Sequence, residues 1–419
     1  MTSRECYVYI TLPGQTDQVT AGKFVLETGT NGVPIGRFVY GKSYLDRPNA
    51  VEFDPIELEL KDRPFDTTEM KGVFGALRDA SPDYWGRELI DRQFTGKPDE
   101  MDYLLRSPDD RIGALGFGLN QIPPAPENRF NKMLELETLQ AYAEEIVSEA
   151  KTKTENEDKK QVEKLLLLGT SMGGARPKAV VETENALWVA KFNRKDDKWN
   201  TARVEHAMLV LAKKCGFSVA DSKIVSVAGK DVLLVKRFDR EKTDNGYLRF
   251  RMISALTALH STDDATERRD WSYITLAETM RKFCSSAKSN VKELFGRMVF
   301  NALISNNDDH PRNHAFVAKN TEWHLSPAYD LTPSTPVSQT ERMLALECGR
   351  MGRVARKVNL LSESARFLLE PAEAEKIIDE MHDVVKSNWY SVAKACGVSD
   401  ADCEQIRTAF CYDGFKMDI

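Results

Sequence analysis

Asn301-Ala-Leu-Ile-Ser-Asn-Asn-Asp308-Asp309-His310-Pro311-Arg312-Asn313-His314-Ala-Phe-Val317 is the stretch on which the reading of this chain turns. An apolar run closes at Ile304. Acids, amides and imidazoles then crowd together before a second apolar triplet begins at Ala315. Taken alone, such a stretch is also how a polar loop capping a helix looks, with Asp308 or Asp309 as the cap. The two histidines invite a metal reading. No third nitrogen or thiolate stands at a recognisable spacing, so His310 and His314 are expected to support the loop rather than ligate zinc.

The spacing carries more than the composition. Asp308 and Asn313 are five residues apart, as are the acid and the amide of a phosphotransferase catalytic loop. There the acid accepts or orients the proton of the attacking hydroxyl, and the amide oxygen holds Mg²⁺ beside the phosphates. Spacing alone selects Asp308 over Asp309. Downstream, Ser326-Pro-Ala-Tyr-Asp330 follows a short predicted strand, Trp323–Leu325, and places one more carboxylate where a second metal-binding acid belongs.

Upstream, Gly169-Thr-Ser171-Met-Gly173-Gly174-Ala-Arg-Pro-Lys178 is a loop of glycines, hydroxyls and cations between predicted strands at Leu165–Leu168 and Ala179–Glu182. Glycine lets backbone amides approach phosphate oxygens, although a plain hairpin has the same look. No Walker A ending follows. Lys191 stands inside the apolar strand Leu187–Phe192, where an ammonium must reach solvent or meet an anion. Behind a glycine loop, this is where a kinase places the lysine that pairs with ATP phosphates. Glu205, in the helix predicted over 201–215, is a candidate ion-pair partner.

The remainder sets the frame. The N-terminal third alternates in short β-branched and aromatic runs (Tyr7–Ile10, Lys23–Leu26, Ile35–Tyr40) broken by Pro13-Gly14 and Asn31-Gly32. A helix is expected from Ser81 as cap with Pro82 at its first position, then a strand over Asp110–Phe117, a proline-bearing linker over Gln121–Asn131 and a helix near 133–150. A charged run, Lys151–Lys164, reads as a solvated face. A hairpin is predicted over 222–237, and mostly helix after Phe238. This divides the chain into an N-terminal subdomain (1–125), a nucleotide-binding lobe (126–238) and a helical lobe (239–419). The net charge of −6 disfavours a protein that grips DNA through its own field. Seven scattered cysteines without a CxxC pair are expected to be free thiols in a reducing cytosol. The N-terminus has no apolar signal core, and no apolar run reaches the ~20 residues that span a bilayer, so a cytoplasmic protein is expected.

Ser171–Lys178, Val189-Ala-Lys191-Phe192, Lys236-Arg-Phe-Asp-Arg240, Asn307–Asn313 and Leu325–Asp330 together resemble the HipA family, kinase toxins of bacterial type II toxin–antitoxin modules. The resemblance implies an α+β, bilobal, protein-kinase-like fold with a small N-terminal α+β subdomain, a mostly helical C-lobe and ATP between the lobes. Residue by residue, it implies that Lys191 contacts ATP phosphates and that Ser171, Gly173, Gly174 and Lys178 form the phosphate loop. Val235, Arg237 and Phe238 would belong to the hinge facing adenine. Asp308 would be the catalytic acid, Asn313 and Asp330 the Mg²⁺ ligands, and Ser171 the autophosphorylated serine whose modification silences the kinase. It further implies a small helix-turn-helix antitoxin, HipB-like, as partner, with DNA reached only through it, and it names no protein substrate. Arg176-Pro177 stands where many members have Gln-Glu, and Lys236 where the family often has Glu.

Two other functions compete: an idle nucleotide-binding partner of a repressor, and a metal-dependent phosphohydrolase built on Asp308, Asp309 and the histidines. The intact Lys191, Asp308, Asn313 and Asp330 set speaks against the first. The second would need neither the glycine loop nor Lys191.

Overall fold

The computed structural model describes residues 3–94, 96–126, 130–148, 166, 176–263, 268, 270–335, 338 and 340–417. The glycine loop 169–175, with Ser171, Gly173 and Gly174, and the charged run 151–164 lie outside them. The chain divides into two compact units, one of Met1–Arg194, Lys236–Thr262 and Val317–Glu322, the other of Lys195–Val235, Asp263–Phe316 and Trp323–Ile419.

In the first unit the alternating N-terminal runs form β1 (Ser3–Thr11), β2 (Gln18–Thr28), β3 (Pro34–Tyr40), β4 (Phe65–Thr67) and β5 (Leu115–Gly118), an antiparallel sheet ordered β4-β3-β2-β1-β5. Period-two alternation buries Val8 and Ile10 on β1, Phe24 on β2 and Phe38, its cross-strand partner, on β3. The helix after Ser81 is real but starts later, over Tyr84–Gln93, capped by Asp83, whose side chain accepts from the Gly86 amide. A carboxylate at the cap also suits the helix dipole, which the Ser81 reading overlooked.

Of the strand expected over Asp110–Phe117 only the last residues pair. Asp109–Gly113 turns instead and is tied down by buried charge. Arg237 donates to Asp239 from Nε (3.0 Å) and Nη2 (2.9 Å), to the Arg111 carbonyl (2.8 Å) and to Asp110. Arg240 donates to Asp239 (2.8 Å) and the Gly113 carbonyl (2.8 Å), and Arg249 to Asp109 (2.5 Å). Gly113 holds φ +74°, and its amide donates to Asp239 (3.0 Å). A side chain would strain that backbone.

β6 (Asn131–Lys132) runs parallel to β7 (Lys178–Glu182), which pairs antiparallel with β8 (Leu187–Phe192). Val180, Leu187 and Val189 pack with Tyr247 and Phe130. Of the strand expected at Leu165–Leu168, only Leu166 is described, and it is helical and buried. Helix does not follow directly on Phe238: Arg240–Thr243 and Gly246–Arg249 form an antiparallel hairpin, closed through Asp244-Asn245, a turn signal visible in the sequence.

The second unit is built on helices. Thr201–Lys214 is capped by Asn200, Tyr273–Phe283 by Ser272 and Asp400–Ile406 by Ser399, while Pro371 opens Pro371–Ala395 at a position where its missing N–H costs nothing. Ala287–Leu303 is buried at every position from Leu294 to its end and packs on Tyr273–Phe283 and Pro371–Ala395. At Gly296 a Cβ would stand 2.7 Å from the Phe217 ring, so glycine is what lets that ring seat on the helix. The hairpin expected over 222–237 forms from Ser222–Val227 and Lys230–Lys236, paired antiparallel. Trp389 stacks on Phe410 at 4.4 Å, as core aromatics do. All seven cysteines are free, and no helix among the described residues is long and apolar enough to cross a membrane.

Candidate functional site

The buried helix Ala287–Leu303 delivers the polar stretch to a fixed place. Ser305 ends it in the left-handed region (φ 54°), and the Asn306 amide turns back to the Asn301 carbonyl at 2.9 Å. Ser305 donates to the Ala409 carbonyl (2.5 Å), and Arg342 donates to Ala409 (3.1 Å) and Thr408 (2.6 Å). The loop therefore begins from an anchored point.

The two adjacent aspartates diverge. Asp309 is buried. Its Oδ1 lies 2.7 Å from His314 Nε2, and its Oδ2 accepts from the Tyr273 hydroxyl. Asp308 is exposed. Partial desolvation raises its pKa; His310 opposes this, the Asp330 carboxylate raises it again, and Arg268 lowers it. Asp308 and Asp330 are thus within electrostatic reach of each other. A carboxyl tuned upward is better matched to proton transfer near neutral pH than an ordinary aspartate.

Asn313 is oriented for ligation. Its Nδ2 donates to the Asp308 carbonyl (2.9 Å), which sets the amide's direction and leaves Oδ1 as the acceptor for a cation. The Asp330 segment is pinned to the same loop. Tyr329 donates its hydroxyl to the Arg312 carbonyl (2.7 Å), and Ala328 exchanges backbone hydrogen bonds with Ser218 (2.8 Å) and Ala220 (3.0 Å). Asp330 itself holds φ 57°, a conformation a short polar side chain tolerates and one that collects at functional sites. The Asn313 amide oxygen and the Asp330 carboxylate are oxygen donors of the kind Mg²⁺ takes, and in chemical type they fit that ion. The histidines do not join it, since His314 is committed to Asp309.

In the first unit, Lys178 and Lys191 are directly opposite across β7 and β8 and so share a face of the sheet. Lys178 is buried and paired with Asp83 at 2.7 Å, the residue that also caps Tyr84–Gln93. Lys191 is half-buried. Two cations at opposed positions repel unless anions balance them, and Asp83 is one such anion. Nothing in the sequence beyond the capping signal pointed to Asp83. Arg237 was expected at the hinge. Its side chain is committed to Asp110, Asp239 and the Arg111 carbonyl, and its amide donates to the Leu187 carbonyl (2.9 Å), so the side chain is not offered to a ligand. Val235 is buried in its hairpin and Phe238 half-buried. Glu205 is buried in Thr201–Lys214. Tyr273 and Arg268, which bear on the catalytic loop, escaped the sequence reading because neither sits in a recognisable spacing.

Comparison with known proteins agrees in direction. A candidate kinase of Haemophilus influenzae is 28% identical over 143 residues, covering 32% of this chain and 42% of that protein. A candidate kinase of Sinorhizobium fredii, Y4dM, is 26% identical over 222 residues, 47% of this chain and 52% of the relative. The chain thus spans about half the length of these curated relatives. The HipA chain of Shewanella oneidensis, solved with HipB and its operator DNA, superposes with a TM-score of 0.68 at 15% identity, over 96% of this chain and 94% of that one, which shows a shared α+β, kinase-like fold. Residues 170–389, more than half the chain, match the family model described as the HipA-like C-terminal domain, and the chain accordingly belongs to the HipA family of kinases.

Proposed function

We propose that this kinase is an ATP- and Mg²⁺-dependent protein serine/threonine kinase, the toxin of a type II toxin–antitoxin module, in which Asp308 is the catalytic acid. The observation that carries the reading is the exposed Asp308 carboxyl, raised in pKa and within electrostatic reach of Asp330, with the Asn313 amide hydrogen-bonded to the Asp308 carbonyl. Asn313 and Asp330 would hold Mg²⁺, whose charge offsets the negative charge gathered on the transferring phosphoryl group. Lys191, with Lys178, would bind the phosphates of ATP, and Val235 to Phe238 would present backbone to adenine. Asp308 accepts the proton of a serine or threonine hydroxyl as that oxygen bonds to the γ-phosphorus, the bond from γ-phosphorus to the β–γ bridging oxygen breaks, and ADP departs. Ser171 is the expected site of self-modification. A phosphate there would set added negative charge beside that of ATP and weaken nucleotide binding.

A small helix-turn-helix partner of HipB type supplies DNA affinity in this reading. The complex formed by the Shewanella protein and the acidic balance of this chain both support it. The hydrolase alternative loses ground to the engagement of Asp309 and His314 with each other.

The test is transfer of labelled γ-phosphate by purified protein, wild type against Asp308→Ala. Label on the protein at Ser171, absent in the variant, is the expected result. Nucleotide binding with no transfer would point to an idle module, and free phosphate with unlabelled protein to a hydrolase.

A further inference from the structure

Asp309 has no part in the chemistry above, yet it is among the most deeply buried polar groups of the second unit, at 1% exposure. It is the centre of a network joining three separate elements. Its carboxylate meets His314 Nε2 at 2.7 Å and the Tyr273 hydroxyl. That hydroxyl also lies 3.3 Å from His314 Nε2 and accepts from Asn301 Nδ2 at 3.1 Å, while Asn301 Oδ1 accepts from Asn306 at 3.2 Å. Tyr273 opens the helix Tyr273–Phe283, Asn301 lies on Ala287–Leu303, and His314 stands just before the strand Ala315–Ala318. The Tyr273 and His314 rings meet edge-on at 5.4 Å, so packing holds the same geometry as the hydrogen bonds.

The two acids stand next to each other where a turn ends, Asp308 exposed and Asp309 buried, so the inward hold on Asp309 fixes the point from which Asp308 projects. The Asp308 carbonyl is meanwhile fixed by the amides of His310 (2.9 Å) and Asn313 Nδ2 (2.9 Å). We infer that Asp309, through Tyr273 and His314, is a positioning residue that aims Asp308 and keeps Asn313 in register with it. The sequence offers two adjacent acids with equal title to the chemistry; the network divides them into one that faces the substrate and one that holds its neighbour. This inference rests on reading Asp308 as the catalytic acid.

Tyr273→Phe removes one oxygen from the network and leaves the ring packing in place. The expected result is a fall in kcat for phosphate transfer of about tenfold, within what a misplaced catalytic group costs, with KM for ATP within about twofold of wild type. In the same protein without nucleotide, the amides of His310 and Asn313 should exchange with solvent about tenfold faster, while those of Pro371–Ala395 keep their protection. Asp309→Asn should give the same pattern, more strongly; if it fails to fold, Tyr273→Phe decides. Unchanged kcat with unchanged loop protection overturns the inference. So does a loss of transfer matched by loss of protection across Pro371–Ala395, which would mark a merely structural role. If wild-type protein transfers no phosphate, the kinase reading falls, and the exchange rates of His310 and Asn313 still decide whether the network holds the loop.

Discussion

Two sets of partly or wholly desolvated carboxylates, one in each unit, are treated by the fold in opposite ways. In the first unit Asp109 and Asp239 sit among Arg111, Arg237, Arg240 and Arg249. Desolvation alone would raise their pKa values, but the facing guanidiniums win and hold both below the ordinary carboxylate range. In the second unit desolvation outweighs the opposing groups, His310 and Arg268 near Asp308 and His314 against Asp309, and both carboxyls are pushed upward. The difference separates a device for stability from a device for chemistry. Ion pairs that satisfy every charge make an inert joint, whereas a carboxyl left short of compensation is poised to exchange a proton.

The sharpest way to break the comparison is to remove one acid from each set. Asp308→Asn should lower phosphate transfer by about 10²–10⁴-fold, the range of a lost general base, with thermal unfolding unchanged or slightly later because an uncompensated charge is gone. Asp239→Ala should do the reverse in kind. It strands Arg237 and Arg240 without their anion and should cost about 3–5 kcal/mol in denaturant unfolding, since breaking one side of a buried pair leaves charge uncompensated. A stable Asp239→Ala protein would show that the joint is decoration.

The pH responses should also differ in sign. Asp239, depressed in the folded state, contributes stability above the ordinary aspartate pKa, and that contribution is lost as pH falls toward its folded value. Asp308, raised in the folded state, binds its proton more tightly when folded, so its stabilising contribution is lost as pH rises through its folded value. As the group that accepts the hydroxyl proton it must be ionised, so the acid limb of kcat/KM is expected above the ordinary aspartate range. A pH–rate profile in the wild type measures it; a limb at or below that range would remove the assigned role. The smallest effect is expected from Arg268, an exposed cation over the Trp271 ring at 5.2 Å, which lowers the Asp308 pKa from a distance. Arg268→Gln should move the acid limb a little further upward and leave thermal stability unaltered, and a downward movement would contradict the electrostatic account.

The local patterns of the candidate site were legible in the sequence because they are encoded at short range. The five-residue interval from Asp308 to Asn313, the strand Trp323–Leu325 ahead of Asp330, and the lysine inside Leu187–Phe192 are local patterns, and each element lies where its pattern put it. Spacing favours Asp308 over Asp309, and the exposure of Asp308 beside an Asp309 buried against His314 supports that reading. What could not be read were interactions between residues distant in the chain. Lys178 meets Asp83 across 95 positions and Arg237 meets Asp110 across 127, and neither residue announces its partner. The Asp110–Gly113 segment was misread as strand for the same reason, because its conformation answers to arginines far along the chain.

The amino-acid order by itself determined most secondary-structure periods and the set of acids and lysines proposed for the site, since these follow from backbone sterics and side-chain chemistry within a few residues. Only the tertiary structure decided which of two neighbouring aspartates faces outward, which arginine is locked in a joint rather than offered to a ligand, and which anion balances Lys178. Those choices depend on desolvation and charge pairing, and both are set by what the folded chain brings alongside.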